Sequence, residues 1–243
     1  MQALKWAFFV LLWIPSLGLS AADEVKKIRV AQYDDKGCGD EEKMFLPKIF
    51  AQDPSIEHVY VTGEQVRNGI LDKFDVFILP GGSGSGQGRS LGPDGVAKVK
   101  EFVRSGKGLF GICAGCYFPL QQDFCNATCA DAWERGVATL KIELSDKGKE
   151  IFGKEFTGEL DIIYMNGPTL TLNVLPDLPK CEPLAWFRSE VSQNGVPEGE
   201  QINTPAIILT TYGKGKILTS SPHPERTPKL QSFVLKAVHY LAE

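Results

Sequence analysis

Short apolar runs alternating with helix-period patterns restrict this chain to a narrow class of architecture. Residues 27–33, 59–61, 74–79 and 109–112 read as strands, compact stretches rich in β-branched, aromatic and leucine side chains. Between them, 41–51 and 64–71 carry helical spacing. Pro93 opens a further helix, with Val96, Val99, Phe102 and Val103 on one face and Gly106 closing it. Strands separated by helices return to the same sheet through crossovers, so this half is expected to be a parallel α/β sheet with ligand chemistry at the strand carboxyl ends.

The second half differs in rhythm. Residues 137–144, 158–165, 170–174 and 184–188 read as strands joined by turns, a mixed or antiparallel extension of the sheet. Residues 206–210, the turn 212–215 and 216–220 form a hairpin that delivers the chain to His223. A last helix over 228–241 turns Leu230, Phe233, Val234, Ala237, Val238 and Leu241 inward. No internal repeat or linker divides the chain.

Residues 1–22 have the form of a cleaved secretory leader: Lys5, an apolar stretch from Trp6 to about Leu19, then Ser20, Ala21 and Ala22 ahead of Asp23. The run is short for a membrane span and is broken by Pro15, so export to the periplasm or medium is expected, without stable membrane insertion once the leader is removed. The remaining 23–243, about 220 residues, suits one α/β domain. Acidic and basic residues are mixed along the chain, with a net charge of −4 and no basic stripe, which argues against a nucleic-acid partner. Six cysteines in an exported chain make disulfides plausible, and Cys125 and Cys129, flanking the sequon Asn126-Ala127-Thr128, are the first pair to suspect.

The chemistry-bearing motif is Gly111-Ile112-Cys113-Ala114-Gly115, which directly follows an apolar strand. A sharp strand-to-helix turn exposes its apex residue, and flanking glycines permit the close backbone approach this needs. The helix N-terminus favours thiolate at Cys113, and the Ala114 N–H is placed to bind an oxyanion. His223 in His223-Pro224-Glu225 supplies a base and Glu225 an orienter for its ring. The other two histidines, His58 and His239, sit where structural roles are expected. The glycine run 80–88 lacks the Lys-Ser/Thr ending of a phosphate loop and reads as a mobile loop whose Gly81 or Gly82 N–H completes the oxyanion hole. No metal-ligand spacing stands out and no cofactor is expected. Cys113 and Cys116 also form a Cys-x-x-Cys at a helix start, which leaves thiol redox chemistry as an alternative to nucleophilic catalysis.

Pro80-Gly81-Gly82 after a strand, Gly111-Ile112-Cys113-Ala114-Gly115 and His223-Pro224-Glu225, in that order, resemble the class I glutamine amidotransferase-like superfamily. Cys116-Tyr117, the segment Tyr164-Met165-Asn166-Gly167-Pro168 and Ser221-Pro222 are most similar to exported bacterial relatives of the biotin-protein ligase N-terminal domain. The resemblance covers residues 27–242 and implies a flavodoxin-like three-layer sandwich. It further implies a Cys113-His223-Glu225 triad, an oxyanion hole of Gly82 and Ala114, a substrate pocket that includes Gly81, Tyr117 and Asn166, and hydrolysis of an amide, peptide or ester. Glutamine-hydrolysing members usually carry Gln where this chain has Tyr117, and no biotin-transferring domain is present, so neither glutamine recognition nor ligase activity carries over. A binding domain that keeps the pocket without turnover is a further alternative.

Overall fold

The computed structural model describes residues 27–130 and 134–243, and the leader read at 1–22 lies outside them. A nine-stranded sheet runs through the molecule. Its first half holds β1 (Ile28–Tyr33), β2 (Ile56–Val61), β3 (Val76–Leu79) and β4 (Gly108–Ile112), all parallel. The second half adds β6 (Val137–Leu144), β7 (Glu159–Met165), β9 (Glu182–Phe187), β10 (Pro205–Tyr212) and β11 (Gly215–Ser220). Two short strands, β5 (Ala127–Cys129) and β8 (Leu170–Leu172), pair separately as an antiparallel ribbon. The strand order is β2-β1-β3-β4-β11-β10-β9-β6-β7, parallel as far as β11 and antiparallel beyond it.

Helices cover both faces. On one side α1 (Leu46–Phe50), α5 (Asp146–Phe152) and α6 (Gln231–Ala242) pack on Val30, Val76, Ile78, Phe110 and Leu218. On the other, α2 (Gly63–Arg67), α3 (Gly84–Arg104) and α4 (Ala114–Gln121) pack on Ala31, Phe77, Leu79, Leu109 and Ile217. Successive strand residues thus feed opposite cores, which is why β3 and β4 read as continuous apolar runs with every residue buried. The result is the flavodoxin-like α/β sandwich with a mixed extension that the motifs implied. Among the described residues, no helix is long and apolar enough to cross a membrane.

Four local expectations are corrected. The span 41–51 is not one helix: a 3-10 turn over Asp40–Met44 gives way to α1, whose first turn holds Pro47. The glycine run is largely helical rather than a mobile loop. Ser83 caps α3 by accepting the Gly86 N–H at 3.2 Å, and buried Gln87 donates from Nε2 to the Pro80 carbonyl at 2.7 Å. The helix that the sequence starts at Pro93 is the second leg of α3, set off by Gly92 at φ 63° and ψ 176°. Finally, Cys125 faces Cys181 rather than Cys129, with 3.2 Å between the sulfurs. The sequon amide is also committed: Asn126 is 3% exposed, donates to the Leu178 carbonyl at 3.0 Å and accepts the Leu175 N–H at 2.7 Å.

Candidate active site

Cys113 stands at the carboxyl end of β4, between the strand and α4, with φ 52° and ψ −108°. Only a tightly constrained turn holds a non-glycine residue there, and the constraint is visible in its neighbours. A Cβ on Gly115 would overlap the Leu79 carbonyl, so α4 lies against the end of β3 at backbone distance. The Cys113 N–H donates to the Ser220 carbonyl at 2.8 Å. That bond belongs to the parallel register of β4 and β11, where Ile112 pairs with Ser220, and it is this register that brings His223 beside the elbow.

His223 and Glu225 are each 1% exposed, and Nδ1 of the ring meets Glu225 Oε1 at 2.6 Å. Burial alone would lower the imidazole pKa, but the hydrogen bonds and charges of Cys113 and Glu225 outweigh it and hold His223 well above its ordinary range. Glu225 in turn lies 3.9 Å from Arg226 Nε. The backbone of His223 is stitched to β7: its N–H donates to the Ile163 carbonyl at 2.8 Å, and Thr227 Oγ1 accepts the Ile163 N–H at 3.0 Å while donating to the His223 carbonyl at 2.9 Å. Although β7 is the last strand in the sheet order, the antiparallel half curls far enough to return it to the site.

The curl also places the end of β7 over the thiol. Cys113 Sγ lies 3.2 Å from the Met165 carbonyl oxygen, and Tyr117 Oη donates to the Asn166 carbonyl at 3.4 Å. Asn166 adopts φ 55°, a left-handed conformation that asparagine tolerates, and its Oδ1 accepts the Gly136 N–H at 2.7 Å. Cys113, Ala114, Tyr117, Gly82, Met165, Asn166 and His223 all line one cavity of about 710 Å³. Glu225 stands behind His223 rather than at the cavity surface. Gly81 is set back from the rim, its carbonyl taking the Gly39 N–H at 3.1 Å, while Gly82, at φ 130°, occupies the rim itself.

Several cavity residues escaped the sequence reading. Arg226 lies over the Phe45 ring at 5.0 Å and pairs with Glu41 at 3.2 Å, and Asp40, Glu41 and Ser83 complete that rim. Arg226 had a signal, since it directly follows His223-Pro224-Glu225. The contribution of Met165 is a backbone carbonyl, which no side-chain pattern reveals. Cys116, the other half of the Cys-x-x-Cys, lies in the first turn of α4 and is fully buried in the core, where desolvation raises its thiol to about 12. His58 and His239 lie elsewhere, on Gln32 at 2.8 Å and Asp53 at 2.7 Å.

Against known proteins, residues 64–128 match the model of the family described as biotin-protein ligase, N terminal. No curated protein matches the chain in sequence. Solved structures match its fold. The PurLQS structure from Thermotoga maritima aligns at 17% identity over 88% of this chain and 99% of that one, with a TM-score of 0.63. A putative GMP synthase subunit from Thermoplasma acidophilum aligns at 15% over 89% and 94%, with a TM-score of 0.60. A glutamine amidotransferase from Thermotoga maritima aligns at 14% over 89% and 98%, with a TM-score of 0.58. The chain therefore has the fold of glutamine amidotransferase-like proteins, and the segment that carries its Cys113 elbow matches the biotin-protein ligase N-terminal family.

Proposed function

We propose that this chain is an exported cysteine hydrolase that cleaves a small amide, peptide or ester through Cys113, His223 and Glu225. The observation that carries the reading is a thiol on a constrained elbow coupled to a buried imidazole, whose far nitrogen is fixed by a buried carboxylate. In this mechanism the Cys113 thiol gives its proton to His223, and the sulfur attacks the acyl carbon and forms a C–S bond. The oxyanion is held by the N–H groups of Gly82 and Ala114, the latter at a helix start where no intrahelical acceptor serves it. His223 passes a proton to the leaving amine or alcohol as the C–N or C–O bond breaks. Water then attacks the thioester, giving its proton to the imidazole, and the carboxylic acid and the sulfur separate. Tyr117 and Asn166 form the wall that the acyl group meets, in place of the glutamine-recognising residue of amidotransferases. Export rests on the leader at 1–22, with 23–243 as one functional domain.

The test is acyl-enzyme formation with activated esters and amides, followed by intact mass. Wild type is expected to accumulate or turn over the acyl adduct, and Cys113→Ser and His223→Ala to lose at least about 10³-fold in rate. Equal labelling in all three proteins would refute the triad and leave a binding pocket. Thiol redox chemistry through Cys113 and Cys116 is disfavoured by the burial and raised pKa of Cys116.

A further inference from the structure

We infer that Cys125 and Cys181 join as a structural disulfide when the chain folds in the presence of a small-molecule disulfide, and that this bond fastens the cavity wall to the central sheet. The two sulfurs lie 3.2 Å apart although the residues are 56 positions apart in sequence. Both are buried, at 0% and 4% exposure, so their meeting is part of the packed interior.

The backbones on either side are already fixed. Asn126, next to Cys125, holds 175–178 through both ends of its amide and accepts the Asn173 N–H on its carbonyl at 2.8 Å. Asn173 in turn accepts the Cys181 N–H on Oδ1 at 2.9 Å and donates from Nδ2 to the Cys181 carbonyl at 3.3 Å. Two asparagines therefore hold both cysteines in place without the help of the sulfurs. Cys125 leads into β5, whose Cys129, followed by Ala130, lines the cavity, and Cys181 leads into β9 of the main sheet. A covalent bond here ties the ribbon of β5 and β8 to β9 and leaves Cys113 untouched.

The chemistry balances. The two sulfurs share a hydrogen bond in which either can donate, and this contact lowers the pKa of Cys181, the slightly more exposed of the two. The Cys181 thiolate attacks the small disulfide, forming a mixed disulfide and expelling one small thiolate. Cys125 then loses its proton and attacks the Cys181 sulfur, breaking the mixed bond and releasing the second small thiol. Two protein thiols are oxidised and one small disulfide is reduced.

The full chain is refolded with oxidised glutathione or with dithiothreitol, then alkylated and digested with trypsin without reduction. The oxidised protein is expected about 2 Da lighter before alkylation, with peptide 108–135 linked to 181–188. Peptide 108–135 also carries Cys113, Cys116 and Cys129, so variants assign the bond: Cys125→Ala removes the link and Cys113→Ala keeps it. The oxidised form is expected to melt roughly 5–15 °C above the reduced form, because the bridge closes a long loop in the unfolded chain. Absence of the link, its survival in Cys125→Ala, or equal melting midpoints would overturn the inference. Should Cys125→Ala fail to fold, fragmentation of the linked wild-type peptides assigns the same bond. None of these readouts depends on catalytic activity.

Discussion

His58 and His223 both lose most of their contact with water, yet they are driven in opposite directions. His58 sits on the edge strand β2, its ring tilted against Phe50 at 5.2 Å and edge-on to Tyr60 at 4.8 Å, with the neutral Gln32 amide at 2.8 Å as its hydrogen-bond partner. Burial acts without opposition and pushes it down from 6.5 to about 4. His223 is the more deeply buried ring, but it has Glu225 on one side and Cys113 on the other, and it is held up. The contrast isolates what makes a buried histidine fit for proton transfer: a thiol on one side and a carboxylate on the other whose interactions offset desolvation.

Glu225→Gln breaks the contrast at its strongest point. It keeps the shape and a hydrogen bond at Nδ1 but removes the charge, and a neutral amide no longer favours the imidazolium or the required tautomer. Turnover of an acyl substrate is expected to fall by about 10²–10⁴-fold. Independently of any substrate, alkylation of Cys113 by iodoacetamide near neutral pH should slow by about tenfold or more, with its pH profile displaced, because the thiolate loses its imidazolium partner. An unchanged profile would mean that Glu225 does not set the charge on His223.

The parts of the molecule legible beforehand are those written in contiguous residues. The β4 elbow announces itself because strand, apex and both glycines lie within a few positions. The parallel half was readable because strands buried on both faces are continuous apolar runs. The start of α3 was misread because Gly84, Gly86 and Gly88 lower helix propensity, and what overrides it is tertiary. A side chain on Gly84 would run into the Ala114 carbonyl oxygen and Tyr117 Cβ at 2.7 and 2.8 Å, so this glycine serves close packing on the elbow, while Gly86 sits against the Gly37 backbone. The placement of Met165 over Cys113 and of Cys181 against Cys125 follows from sheet curl and chain return, which leave no local trace.

Gln32→Glu tests the contrast from the other side by giving His58 the carboxylate it lacks. Its pKa should rise by roughly 1–2 units or more, read by NMR titration of the ring. The sign in stability follows. In wild type the folded pKa of His58 lies below the unfolded one, so its contribution is complete above pH 6.5 and is lost as pH falls toward about 4. In the variant, a folded pKa of about 5–6 still lies below the unfolded value, so the trend keeps its sign but weakens: the contribution is complete above pH 6.5 and less of it is lost as pH falls. A ring that stays near 4 beside a carboxylate would show that burial prevails over an anionic neighbour, and the account of His223 would fall with it.

The smallest expected effect concerns how the two rings are held. His58 rides on a regular strand, whereas His223 lies in a turn whose geometry depends on Thr227, 8% exposed, bridging the Ile163 N–H and the His223 carbonyl. Thr227→Val conserves volume but strips both bonds and leaves the Ile163 N–H without its acceptor, a cost of about 1–2 kcal/mol. The melting midpoint should drop by roughly 2–8 °C. Cys113 alkylation should slow by a few-fold as the ring loses its fixed position, while the His58 titration stays unchanged. Thr227→Ser, which restores the hydroxyl, should recover the alkylation rate. A loss of stability with full thiol reactivity would instead assign Thr227 to packing alone, and the stitch to β7 would then have no part in aiming the imidazole.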